Sequence, residues 1–184
     1  MNAILLAIVL AAPVAASKPA PSAALTDAQI HSTIAAYLGS IDTPIPAERW
    51  AELGARAEAE LTSIALGAEL PTRRAKAVDG LAAISPKSAP ALFTRLATDE
   101  SAPINVRYAA VRGLGHVTPA AKITAALQPI LEQSPDIRLR AKAGEELAKR
   151  NPGEGCQVLR AQVAREATEV RAQFDRAREG CLGR

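Results

Sequence analysis

The sequence predicts an all-α protein built by stacking one helical unit on the next. Between Pro71 and about Val163 the chain repeats itself every 33 residues: Arg74, Arg107 and Arg140 fall in one column, and Ala77, Ala110 and Ala143 in a second. Leu81, Leu114 and Leu147 make a third column, and Pro86, Pro119 and Pro152 a fourth, without a gap. A period of this size is the mark of a stacked-repeat architecture. Composition agrees: 48% of residues are hydrophobic but only 3% aromatic, so the apolar content is mainly alanine with some leucine, isoleucine and valine. Alanine favours helix and lets helices approach closely. No segment alternates apolar and polar residues in the manner of a half-buried strand.

At the N-terminus, Ile4 to Ala12 is an apolar run closed by Pro13 and small residues. That layout predicts a secretory signal peptide over 1–16, although no Lys or Arg precedes the run. The run is shorter than the roughly 20 residues a membrane span needs. Export to a periplasmic or secreted location follows, with membrane contact only during passage. Residues 17–25, rich in Pro, Ala and Ser, read as a flexible linker.

The segment 26–68 predicts N-terminal helices. Thr26-Asp-Ala-Gln29 has the spacing of a capping box, and Ile30, Ile34, Tyr37 and Leu38 form an apolar stripe ahead of Gly39. His31 lies beside that stripe as a surface or packing residue. After Thr43-Pro-Ile-Pro46, one helix is expected to run to about Leu66, with Trp50, Leu53, Ala57, Leu61 and Ile64 spaced by three and four. Trp50, the single tryptophan, is expected to anchor these helices to the repeats.

Three repeats are expected over 69–163, each a helix A, a tight turn and a helix B. The turns read Ser85-Pro86, Thr118-Pro119 and Asn151-Pro152, in which a residue that caps a helix start precedes a proline suited to the first helical position. Ser88, ahead of Pro90, competes for that cap in the first copy. Pro129 is expected to kink helix B of the second copy or delay its start.

Asn105-Val-Arg-Tyr-Ala-Ala-Val-Arg-Gly-Leu-Gly115 carries a valine–arginine pair followed by an Ala, Leu, Gly pattern. Asp136-Ile-Arg-Leu-Arg-Ala-Lys-Ala-Gly-Glu-Glu-Leu147 is a weaker version, with Leu139-Arg140 as the pair, and Thr72 to Leu81 lacks the valine. This stretch, about half the chain, resembles the short class of HEAT-type repeats found in bilin-lyase-like proteins. Tetratricopeptide repeats share the period, but their aromatic–glycine–tyrosine signature is missing. The resemblance implies a right-handed α-solenoid of about three antiparallel helix pairs with flanking long helices. It also implies a structural role for the recurrent arginine.

Two readings of the arginine column stay open at this level. Arg107 and Arg140 are candidates for contacting a partner, together with His116, which stands where the other copies have Ala83 and Lys149. Alternatively each arginine lays its stem over the neighbouring unit and bonds a carbonyl or an aspartate there.

From Glu154 to Glu179 only Gly155 interrupts the helical pattern, and Leu159, Val163, Ala167, Val170, Phe174 and Ala177 continue an apolar stripe. One long helix is expected, with 164–184 extending it as a cap over the open end of the stack. Cys156 and Cys181 conflict with it. An exported protein with an even cysteine count usually pairs them, but 25 residues of straight helix span roughly 37 Å. Either the helix breaks near Thr168, or the cysteines pair between chains or stay reduced.

No motif for catalysis stands out: there is no nucleophile elbow, no phosphate-binding glycine loop and no Cys-x-x-Cys. The two histidines are far apart, which argues against a metal site. Glu58 with Glu60, and Glu145 with Glu146, are taken as exposed carboxylates, since helix neighbours do not face one another. The formal net charge of +3 is mild and the charges are interleaved, which argues against nucleic acid as a partner. The expected function is an exported scaffold that binds an unknown protein or peptide along a groove of the B helices, without catalysis or cofactor. The alternatives are a subunit or chaperone-like partner of an enzyme, as the bilin-lyase resemblance implies, and a lipid-binding helical protein.

Overall fold

The computed structural model describes residues 25–41 and 43–182, and among these the chain is all-α, with no strand. The expected signal peptide over 1–16 lies outside the described residues, as does all but the last residue of the linker 17–25.

Helix α1, Asp27–Gly39, starts on the expected capping box. The Gln29 backbone N–H donates to Thr26 Oγ1 at 3.2 Å, and the Thr26 N–H donates to Gln29 Oε1 at 2.8 Å. Ile30, Ile34 and Leu38 are buried along one side. His31 stays at the surface and meets Glu60, with Nδ1 2.8 Å from Oε1.

The single helix expected up to Leu66 is instead broken in two. Helix α2 covers Ala47–Ala51, a 3-10 turn covers Ala55–Ala57, and α3 covers Glu58–Leu66. Gly54 between them adopts φ +63°, a left-handed conformation that glycine takes without a side-chain clash. The apolar seam survives because α2 and α3 both pack on the next helix, so Trp50, Leu53, Ala57 and Leu61 are all buried.

The repeat region holds α4 (Pro71–Ile84), α5 (Ala89–Thr98), α6 (Ile104–Val117), α7 (Ala120–Gln133), α8 (Ile137–Arg150) and α9 (Pro152–Arg165). Their pairing differs from the expected one. Helix α5 lies closest to α6, α7 to α8, and α3 to α4, while α4 and α5 touch little. The tight hairpins are therefore α3/α4, α5/α6 and α7/α8, one helix out of phase with the first two units read from the prolines, whereas the third expected pair, α8 with α9, does pack. Pro86 and Pro119 fall between hairpins, and Pro152 joins two helices that pack together. Ser85 is a left-handed C-cap of α4 at φ 47°, and α5 begins after Ser88. Thr118 closes α6, and only Asn151-Pro152 places a cap residue directly before an N-terminal proline. Helix α7 continues through Pro129, so it does not begin late.

Along the inner row, α4 packs on α6 and α6 on α8. Close approach of α2 to α4 and of α5 to α6 depends on glycines of the inner row. A Cβ on Gly80 would stand 2.8 Å from Trp50 Cε3, and one on Gly113 would stand 2.8 Å from Phe93 Cε2. Gly80 and Gly113 occupy one repeat column, so the same vacancy seats an aromatic ring twice.

The long C-terminal helix is not formed. Helix α9 stops at Arg165, a 3-10 segment runs over Thr168–Phe174, and α10 covers Asp175–Glu179. The chain turns back across α8, so the Cys156 and Cys181 alpha carbons are 5.8 Å apart and the two residues form a disulfide. No cysteine is free. Arg171 fixes the break by donating from Nε to the Glu166 carbonyl at 3.0 Å and from Nη2 to the Ala164 carbonyl at 3.2 Å. Residues 166–182 instead pack against α8 and α9 as a folded-back strap, with Phe174 and Ala177 buried.

Candidate functional site: a charged face over α4, α6 and α8

The three recurrent arginines perform one local task. Arg74 Nε donates to the Ala65 carbonyl at 3.0 Å, and Arg107 Nε to the Ala97 carbonyl at 3.3 Å. Arg140 Nη1 donates to the Ser134 carbonyl at 2.8 Å. Each acceptor lies at the C-terminal end of the preceding helix, α3, α5 or α7, where carbonyls lack a helical partner and the helix dipole is negative. Arg107 is buried, and Arg140 also forms a bidentate pair with Glu166, Nε–Oε1 2.8 Å and Nη2–Oε2 2.7 Å. These two candidates for partner contact are thus engaged within the fold, holding hairpins together. His116, the third candidate, is exposed, on the opposite row of features.

His116 sits where two hollows meet. The larger, about 630 Å³, lies between the lead into α2 and the helices α4 and α6. Ile45, Trp50, Ala82, Ala83 and Gly113 supply its apolar lining, and Lys76, Asp79, Arg112 and His116 its polar rim. Trp50 is held there edge-on to Tyr37, with ring centroids 5.0 Å apart and planes at 81°. The second hollow, about 470 Å³, shares Arg112 and His116 and extends over α8 to Arg176 of α10. A smaller one, about 400 Å³, lies between α3 and α5. The two larger of these hollows lie on α4, α6 and α8. The groove was expected on the helices that follow the Pro86, Pro119 and Pro152 turns, which are α5, α7 and α9. Smaller hollows lie on that side, one between α3 and α5 and one of about 180 Å³ between α5 and α7.

Charges on this face interlock. Arg112 of α6 pairs with Asp79 of α4, one repeat apart. On α8, Lys142 Nζ lies 2.7 Å from Glu146 Oε1, 3.1 Å from Glu145 Oε2 and 5.5 Å from the Tyr108 ring centre. Lys149 Nζ is 2.6 Å from Glu145 Oε1, and Arg176 Nε is 3.7 Å from it. Glu145 and Glu146 were expected to be exposed. Both are only 6% exposed. Adjacent helix residues point apart, but α6 closes over one and α10 over the other. A Cβ on Gly115 of α6 would stand 2.5 Å from Glu146 Oε2, so the glycine makes room for that carboxylate.

Burial pushes the Glu145 carboxyl up, but hydrogen bonds from Lys149 and Lys142 outweigh it and hold the group below its ordinary range. Asp79 goes the other way: burial raises it above the usual carboxylate range despite Arg112 beside it. Among the described residues no cluster of three or more His, Cys, Asp or Glu is arranged to hold a metal ion. Nor is any helix there long and apolar enough to cross a membrane.

Lys142 and Arg176 carry no mark in the sequence that sets them apart, and Glu145 and Glu146 read there as exposed carboxylates. The columns did carry a signal: Asp79, Arg112 and Glu145 share one register position with alternating charge. No family model, curated protein or solved structure matches this chain.

Proposed function

We propose that the chain is an exported scaffold whose helices form a right-handed, HEAT-like solenoid, and that it binds a protein or peptide without catalysing a reaction. The observation that supports this reading is the pair of adjoining hollows along α4, α6 and α8, which together make one extended concave face. An extended face lined by fixed charges and an apolar cleft suits a chain-like ligand better than a small molecule. Function here rests on that surface and not on the fold alone.

Photo-crosslinking in cells tests it. A benzophenone amino acid placed at His116, on the face, should give a discrete protein or peptide adduct, whereas the same group at exposed Lys122 of α7 should not. Equal adducts at both positions, or none at His116, would refute the binding face. Intact mass of the recovered chain tests export separately: cleavage should leave a protein beginning at Ser17.

A further inference from the structure

We infer that the partner segment bound by this face is an acidic peptide carrying a large apolar side chain. The inference rests on the scaffold reading above and names the chemistry of its ligand. Six cations line the two hollows: Lys76, Arg112, Lys142, Lys149, Arg150 and Arg176. Three carboxylates line them among the described residues, Asp79, Glu145 and Glu146. Among the described charged residues that line them, cations therefore outnumber carboxylates two to one.

The internal pairs sort the cations further. Arg112 with Asp79, Lys149 with Glu145, and Lys142 with Glu146 account for the three carboxylates. Lys76 and Arg150 remain outside these pairs, and Arg176 makes only a long 3.7 Å contact with Glu145, which Lys149 and Lys142 already neutralise. Lys76 donates to the neutral Ser40 carbonyl, Arg150 is exposed, and the Arg176 side chain is 80% exposed. Cations at a rim steer an oppositely charged ligand and set its register. The larger hollow, beside Ile45, Trp50 and Ala83, offers an apolar receptacle next to them. A peptide with a leucine- or phenylalanine-sized side chain flanked by Asp or Glu meets both requirements. A nucleic-acid backbone or an anionic membrane meets them less well, because the interleaved carboxylates repel a continuous row of phosphates and the cleft accepts an apolar group.

The test is selection of linear 16-residue peptides displayed on phage against the full oxidised protein, followed by binding measurements on synthetic copies. The expected outcome is enrichment of acidic peptides around one large apolar residue, with affinity falling about tenfold or more between low and high salt. Arg150→Glu with Arg176→Glu should weaken these peptides by at least about tenfold. Ala83→Glu serves as a second variant, placing a carboxylate in the cleft at a position whose counterparts, His116 and Lys149, are already polar. It should weaken them likewise, with thermal unfolding confirming that both variants fold. Enriched peptides without acidic bias, or acidic peptides that bind all variants equally, would overturn this inference while leaving the scaffold reading standing. Failure to enrich any peptide would count against both. Tighter binding to a single-stranded oligonucleotide or to phosphatidylglycerol vesicles than to the selected peptides would assign the face to a different partner class and overturn the proposal.

Discussion

Gly80 of α4 lies directly beneath the Trp50 indole, so close that a Cβ on it would stand 2.8 Å from Cε3 and 3.1 Å from Cδ2. The ring is 2% exposed and meets Tyr37 edge-on, with centroids 5.0 Å apart. A rigid bicyclic ring held this way has little room to yield. Gly80→Ala adds a methyl where none fits, at a cost of about 1–3 kcal/mol, offset by about 1 kcal/mol of improved helix propensity. A net loss is expected. Because Trp50 is the single tryptophan, its fluorescence during urea unfolding reads the change directly. Unchanged stability would mean that the indole shifts freely.

Removing the bridge by Cys156→Ser with Cys181→Ser should destabilise the protein by about 3 kcal/mol, given the 25-residue separation. The loss should match that produced by reductant on the natural chain. Urea titrations with and without dithiothreitol check it, and free-thiol titration of the untreated protein should find none.

Lys142→Met should cost about 3 kcal/mol, because two carboxylates that are 6% exposed lose a shared partner. The same change at Lys149, whose side chain is 52% exposed, should cost less than about 1 kcal/mol. Chemical denaturation of the two variants side by side measures the difference. Equal effects would mean that Glu145 and Glu146 are hydrated.

Stability should depend on acid through Glu166 and Glu145. The hydrogen bond from Arg140 holds Glu166 below its ordinary value, against the effect of burial and with help from Gln162. A depressed folded-state pKa contributes stability that is complete above the unfolded value of about 4.3 and is lost as pH falls through the folded value. The melting temperature should therefore hold steady from neutral pH to about 5 and drop below that. Glu166→Gln should lower it at pH 7 and leave a shallower acid decline, the two curves converging in strong acid. Parallel curves would exclude Glu166 as a source of the acid sensitivity.

Much of the fold was legible because the residues that set it act locally. Thr26 and Gln29 cap α1 through bonds three residues apart, and the Arg, Ala and Leu columns declare the period. The hairpin phase was not legible. A fixed spacing says that a unit recurs, but not which of two neighbours each helix lies against. Partner residues distant in sequence decide that, as Phe93 does by seating over Gly113. The break after Arg165 was hidden for a related reason. Neither Glu166 nor Ala167 is a helix breaker, and the turn is held by Arg171 reaching back to carbonyls. The cysteine spacing gave the warning, since a bridge and a straight helix are geometrically incompatible. The charged face was masked by a rule that holds for single helices. Glu145 and Glu146 diverge, yet flanking elements enclose both.

The arginine bonds to Ala65, Ala97 and Ser134 each close within ten residues of chain. A polypeptide growing from its N-terminus can latch these hairpins one after another, none waiting for a distant segment. The bridge is different. Cys156 has no partner until Cys181 follows 25 residues later, so oxidation waits for the strap to fold back over α8.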